Sequence, residues 1–250
     1  MDENAVDHIE IVKGPASLTY GSDALAGVAT HKQATNYQNK YDGRVYGTAF
    51  NESDLSGYIG LLKQWGYSHL NFSLFNDLQE IPDASRDSLT RKFTKQITEA
   101  DTFRPIVSDK DLSSYKIAVL HQHVQHFRIY SSNNFIIGKS KLGLIFGYQQ
   151  SIRKEFSNPH FFDIPGMYLD LKSLTYDINL TIPESKGWET IFGINGMYQR
   201  NTNKGTEFII PDYNEFDFGP FVLITKTIDK LDLSAGVRYN KQEREGAFQY

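Results

Sequence analysis

The chain holds 250 residues, with 26 Lys and Arg against 30 Asp and Glu, a net charge of -4 and no cysteine. Disulfide frameworks, thiolate metal sites, iron–sulfur clusters and cysteine nucleophiles are thereby excluded, and positive charges scattered among negative ones argue against a nucleic-acid partner. Mean hydropathy is -0.45 and no stretch nears the roughly 18 apolar residues of a spanning helix, yet aromatic residues make up 14%, too many for a disordered acidic chain.

Residues 1–36 are punctuated by glycine and proline instead of alternating. Met1-Asp2-Glu3-Asn4 has neither the basic nor the apolar region of a signal peptide. A short extended run, Ile9 to Val12, leads into Gly14-Pro15, a small-residue turn, Tyr20-Gly21 and Ala24 to Ala29 with Gly27 inside it. On the residues alone this is a strand-turn-strand segment in which Gly14 and Gly21 permit backbone angles closed to other residues and Pro15 starts a helical turn over Ala16–Leu18.

From Asp42 onward the signal is alternation, which predicts strands with two unlike faces. Strands are expected near 43–51, 54–64, 67–76, 125–137, 142–153, 168–182, 188–201, 212–227 and 231–241, nine in all. In the clearest run Leu174, Tyr176, Ile178, Leu180 and Ile182 share one side, with Thr175, Asp177, Asn179 and Thr181 on the other. Trp65-Gly66, Gly138 to Lys141, Glu184 to Gly187 and Asp229-Lys230 read as tight turns, whereas 77–124, 154–167 and 202–211 read as long loops. Tight turns at one end of the strands and long loops at the other are the mark of outer-membrane barrels. Trp65, Tyr148, Trp188, Tyr198 and Tyr239 fall where interfacial rings would stand. The competing architecture is a two-sheet sandwich whose rings fill its core.

The ordered string Ile9-Glu10-Ile11-Val12-Lys13-Gly14-Pro15, Tyr20-Gly21, Ala24 and Gly27-Val28 resembles the end of the plug domain of TonB-dependent outer-membrane receptors. Trp65 to Leu70 and Gly205 to Asn214 more loosely resemble barrel segments of such receptors from Bacteroidetes-type bacteria. The resemblance implies an all-β fold, an incomplete antiparallel transmembrane β-barrel of about nine strands, preceded by the C-terminal piece of a plug. Residues 1–36 would be the plug's end and 37–250 the first part of the barrel. Since barrels of this kind have about 22 strands, the chain is expected to be a fragment. Where the family continues with an apolar strand pair after Val28, Thr30-His31-Lys32-Gln33 turns polar, which points to a local deletion.

Candidate sites are few. Gly14, Pro15, Tyr20, Gly21, Ala24 and Gly27 form the plug motif. His121 and His123 would share a strand face as possible ligand contacts, but no third ligand stands at metal-site spacing, and the haem-receptor motifs Phe-Arg-Ala-Pro and Asn-Pro-Asn-Leu do not occur. Leu89, Phe93 and Ile97 sit at helical spacing in the longest loop, with Arg91, Lys92 and Lys95 between them, either as a lid or as packing on the rim. Asp109 and Asp111 read as solvated charges. No catalytic motif is found, so no enzyme, cofactor or metal is expected. The resemblance implies energised uptake of a scarce solute, such as an iron chelate or corrinoid, across a bacterial outer membrane. Its partners would be that small nutrient, outer-membrane lipid and the TonB complex, the last through an N-terminal segment missing from this chain, with no nucleic acid. The alternative is a secreted β-sandwich that binds or cleaves glycans.

Overall fold

The computed structural model describes residues 23–39, 43–118 and 120–246. Over the described residues it is all-β, with one four-residue helix, α1 (Asp109–Leu112). The principal strands are β1 (Asp23–Ala34), β4 (Phe50–Lys63), β5 (Gly66–Glu80), β6 (His121–Ile137), β7 (Ser140–Phe156), β8 (Met167–Ser185), β9 (Trp188–Asn203), β10 (Tyr213–Ile228), β11 (Leu231–Arg238) and β12 (Lys241–Gly246). They form one antiparallel ten-stranded sheet in the order β1-β4-β5-β6-β7-β8-β9-β10-β11, with β12 also paired to β10. A separate two-residue hairpin, β2 (Gln38–Asn39) and β3 (Gly43–Arg44), lies in the first loop.

Three differences from the sequence expectations have local causes. Of the strand expected at 43–51 only Phe50 and Asn51 are in β4, which runs on unbroken through Glu52 and Ser53 opposite Asp77 and Asn76 into the strand expected at 54–64. Residues 23–34, expected to belong to the plug, run along β4 as the sheet's first strand, with Ala24 opposite Gly60 and Gly27 opposite Gly57. The edge strand is therefore β1, not a strand near 43. Finally, β11 and β12 are two halves of one line along β10: Tyr239 N–H donates to Pro220 O at 3.0 Å, but Pro220 has no N–H to return, and the ladder lapses there.

The connections sort by length. Two-residue turns join β4 to β5, β6 to β7, β8 to β9 and β10 to β11, while residues 35–49, 81–120, 157–166 and 204–212 join the strands at the opposite end. Lys186 and Gly187 both have positive φ, 54° and 80°, the type I′ geometry whose twist matches its strands. Gly66 is irreplaceable for another reason: with φ at +127°, a Cβ there would stand 1.8 Å from Asn134 O.

The register divides the sheet into two chemically different faces. Gly57, Phe72, Ile129, Tyr148, Leu174, Tyr198 and Phe216 lie in one row across seven strands. Two rungs nearer the tight turns, Leu61, Ser68, Asn133, Leu144, Ile178, Ile194 and Pro220 form another. Over these two rows and the one between them the face is apolar apart from Ser68, Ser131 and Asn133, which satisfy one another: Ser68 Oγ donates to Asn133 Oδ1 at 2.5 Å and Asn133 Nδ2 to Ser131 Oγ at 2.7 Å. The other face carries polar networks, among them Asn179 to Asp177, Gln199 to Ser173 at 2.9 Å, and Arg238 to Asn195 at 2.6 Å.

Among the described residues only Ala49, Phe93 and Val107 are buried apolar side chains, and all three lie in the long-loop end. The sheet itself has no core, and Leu174, Phe192, Leu233 and Val237 stand about half exposed or more. The apolar rows are closed by rings at both ends. Tyr148 and Tyr198 flank Leu174 at one; Trp188 and the stacked pair Trp65–Phe135, with centroids 5.3 Å apart, stand at the other. From Trp188 to Tyr198 is about 33 Å of strand at about 3.3 Å per residue. At a tilt of about 40° that run stands about 25 Å tall, the height of the lipid-facing band of an outer-membrane barrel.

Ile178→Arg and Leu180→Arg are expected to cost about 2 to 4 kcal/mol if their face meets lipid, and Asn179→Arg much less. Assembly of the three variants in outer-membrane fractions checks this; equal assembly would contradict the division of faces.

Candidate functional site at the long-loop end

The long loops are tied together by a buried carboxylate. Glu80, 2% exposed at the end of β5, accepts from Ala49 N at 3.1 Å and from Ala118 N at 2.7 Å, so both its oxygens are used and three chain segments meet on one side chain. Replacing it with an apolar residue would leave two backbone donors without partners. In the first loop, buried Asn36 accepts from Thr48 N at 2.9 Å, and Thr48 Oγ1 accepts from Tyr37 N at 2.6 Å.

The loop over 81–120 folds on itself. Bridges join Arg86 to Phe93 and Thr94 to Ile106, Arg86 covers the Phe93 ring at 3.9 Å, and Phe93 and Val107 are buried. Arg104 pairs with Asp83, and its Nε meets Asp101 at 2.7 Å. Ser108 caps α1 by accepting from Asp111 N. The helical spacing of Leu89, Phe93 and Ile97 does not become a helix. Asp87 accepts from Thr90 N and Thr90 Oγ1 at 2.7 and 2.6 Å, Arg91 takes a φ of 60°, and the chain reverses so that Phe93 pairs back to Arg86. Leu89 is left 91% exposed. Asp111, read as a solvated charge, is instead bonded to Lys95 at 2.8 Å, and the Lys95 ammonium holds its carboxyl below the usual carboxylate range.

Among the cavities at this end, one of about 370 Å³ lies along β9, β10 and β12 with Arg200, Asp212 and Glu245 in its wall, and two lie within the long loops. One of about 290 Å³ is lined by Tyr46, Lys95, Ile97, Asp111, Lys116 and Pro159 among others. The second, about 340 Å³, lies where the 157–166 and 204–212 loops meet, with Glu99, Phe161, Ile164 and Glu207 in its wall; Glu207 N donates to Gly166 O at 2.8 Å and joins the two loops. Around them Phe103, Phe161, Phe162, Phe208 and Ile209 are exposed. Concave pockets whose walls mix apolar side chains with a few polar groups are suited to a small organic solute.

His121 and His123 do share a face, the one that carries the apolar rows, at its long-loop end. His123 Nε2 lies 2.8 Å from Asn76 Oδ1. His121 stacks on Phe156 with centroids 4.5 Å apart, and its Nδ1 lies 2.9 Å from Ala118 O. Among the described residues no group of three or more His, Cys, Asp or Glu could hold a metal ion. Of the plug motif, Gly14, Pro15, Tyr20 and Gly21 lie outside the described residues. The clasp at Glu80 and both loop cavities had no sequence signal, because each is assembled from loops far apart in the chain. No protein-family model matches the chain, and no curated protein matches it.

Burial, with the carboxylates of Glu80, Asp111 and Asp83 around it, pushes the Tyr46 hydroxyl up to about 12. The folded loop end thus keeps a proton that the unfolded chain gives up from the ordinary value of 10, so the stability Tyr46 contributes is complete below that pH and is lost as pH rises toward 12. The difference in tyrosinate absorbance between wild type and Tyr46→Phe should titrate near 12; a midpoint near 10 would mean that Tyr46 is not enclosed.

Proposed function

We propose that the chain is part of an outer-membrane receptor that captures a scarce small solute at its long-loop end and passes it inward when TonB acts on a plug. The observation that carries the membrane reading is the apolar face: coreless, about 25 Å tall at the tilt of barrel strands, and bounded by rings. The sorting of four tight turns to one end and all long loops to the other supports the same reading. A soluble sandwich needs a second sheet packed on the first, and the described strands make only one large sheet.

An open sheet is not a stable membrane structure, since unpaired edge groups in hydrocarbon cost several kcal/mol each. Counting β11 and β12 as one line, the two edges are the first and ninth of nine antiparallel ranks and run in the same direction. A barrel that contains this sheet therefore closes antiparallel only with an odd number of further strands. The polar face, with Asp177, Asn179, Asn195 and Arg238, would line the lumen, and the loop cavities with their exposed phenylalanines would meet the solute. The TonB step rests on the resemblance of the 9–28 string to a plug end.

The test is paired. In the outer membrane of the producing cell, Gly14→Val with Gly21→Val should leave the immunodetected level near normal, since the sheet is built from other residues. TonB-dependent growth on the limiting nutrient should fall if the plug turn that the resemblance implies needs positive φ at these glycines, where a branched side chain costs about 1 to 3 kcal/mol. Unchanged growth would overturn the plug assignment, and absence of the chain from the outer membrane would overturn the receptor reading.

A further inference from the structure

The apolar face does not end evenly. One register row beyond the Tyr148–Leu174–Tyr198 row, β4 to β6 still carry Leu55, Leu74 and Phe127, whereas β7 to β9 carry Gln150, Lys172 and Arg200. Lys172 and Arg200 are direct cross-strand partners. Such partners hold their Cβ atoms about 4.5 to 5.5 Å apart, and like charges so placed destabilise the sheet. Two further cations stand beyond them toward the long loops: Lys154 Nζ and Lys204 Nζ lie 4.7 and 5.3 Å from the centroid of the Tyr168 ring.

The carboxylates nearby are too few. Asp170, 4% exposed, is occupied by Lys204 at 2.7 Å and by Gln150 at 2.7 Å, with Lys172 outside hydrogen-bond range at 3.8 Å. Glu245 stands two strands from Arg200 on the same row, beyond Asn214. Asp212 shares a cavity wall with Arg200 and Glu245, but its Oδ1 accepts from Asn203 N at 2.6 Å; four cations thus face three carboxylates, and among the described residues neither Lys154 nor Arg200 forms an ion pair. Arg200 and Lys172 are both exposed. A repulsive pair kept at the rim of an apolar face is stabilised by an anion placed between its members.

We propose that this cluster on β7, β8, β9 and the residue that follows β9 binds the phosphate groups of a glycolipid in the surrounding leaflet. The proposal rests on the membrane reading above, which puts this face toward lipid and the Tyr148–Tyr198 row at the interface. Lys and Arg are the residues that recognise phosphate, and cations at the membrane surface gain most from anionic headgroups at that depth. Position selects a lipid over a free ion: phosphates held at Lys172 and Arg200 leave the acyl chains of the same molecule lying over Leu174, Phe146 and Phe192, one to several rows nearer the tight turns. None of these four cations lines the two cavities within the long loops, Arg200 lining a separate one with Asp212 and Glu245, so the lipid is distinct from the transported solute. Confinement to three strands makes this a discrete site instead of a charged belt.

The test uses the closed barrel that contains this chain, inserted into nanodiscs of neutral lipid and titrated with a bis-phosphorylated glucosamine-disaccharide lipid and with its dephosphorylated form, bound lipid being counted by native mass spectrometry. The phosphorylated lipid should bind at least tenfold more tightly to the unaltered chain, Lys172→Gln with Arg200→Gln should abolish that preference, and millimolar inorganic phosphate should not displace the lipid. Equal binding of the two lipids to the unaltered chain overturns the site, whether or not the double variant inserts. Ready displacement by inorganic phosphate overturns the lipid as its occupant. Protease protection of the strands is measured on the same sample: a chain that never becomes protected overturns the membrane reading itself, whereas a protected chain that ignores phosphorylation overturns the lipid site alone.

Discussion

A sheet whose apolar side chains lie on one face and are covered by none of the described residues must take that cover from elsewhere, and the rest of the structure depends on this constraint. Two-residue periodicity assigns Leu174, Tyr176, Ile178, Leu180 and Ile182 to one face together, and antiparallel register aligns them with Leu142, Leu144, Phe146 and Tyr148 on one side and Ile194 and Phe192 on the other. Backbone groups are satisfied across the ladder, so between the edges the sheet offers an apolar solvent only side chains. In water the same face would be an aggregation surface far larger than soluble proteins expose.

The two ends divide the remaining work. Tight turns keep register with the least chain, and Gly66 is fixed there by the approach of Asn134 O. At the other end longer chain is ordered by tertiary devices: Glu80 gathers three segments, Phe93 and Val107 supply a small core, and Arg104 pins Asp83 and Asp101. An end built this way can change its pocket residues without disturbing strand register, which is how binding loops vary on a constant scaffold.

Most of the sheet was legible in the sequence because its signal is local. Alternation over 174–182 and 231–239 is visible without knowing what lies alongside, and Asp229-Lys230 and Lys186-Gly187 mark their own turns. Strand β1 was not legible: Ala24 to Ala34 has small and polar residues on both faces, and only its pairing with β4 makes it a strand. Strand β12 is likewise charged on both faces, and its break from β11 comes from a proline on the neighbouring strand. In the 88–99 segment a genuine period misled, because an Asx turn at Asp87 and a positive φ at Arg91 outweigh spacing. The histidine pair was found as a pair, but not its neighbours Asn76 and Phe156, which belong to other strands. The opposed cations Lys172 and Arg200 become a pair only once the register is known.

The natural absence of cysteine makes the central claim directly measurable. Single cysteines at each position from 174 to 182, spin-labelled in a bilayer-reconstituted sample, report collision with lipid-soluble oxygen and with a water-soluble nickel chelate. Oxygen accessibility should alternate with a period of two, high at 174, 176, 178, 180 and 182 and low at 175, 177, 179 and 181, with the chelate excluded from the first set. A run equally accessible to the chelate on both faces, or protected from both reagents at 178 and 180 by a packed protein core, would contradict a lipid-facing sheet.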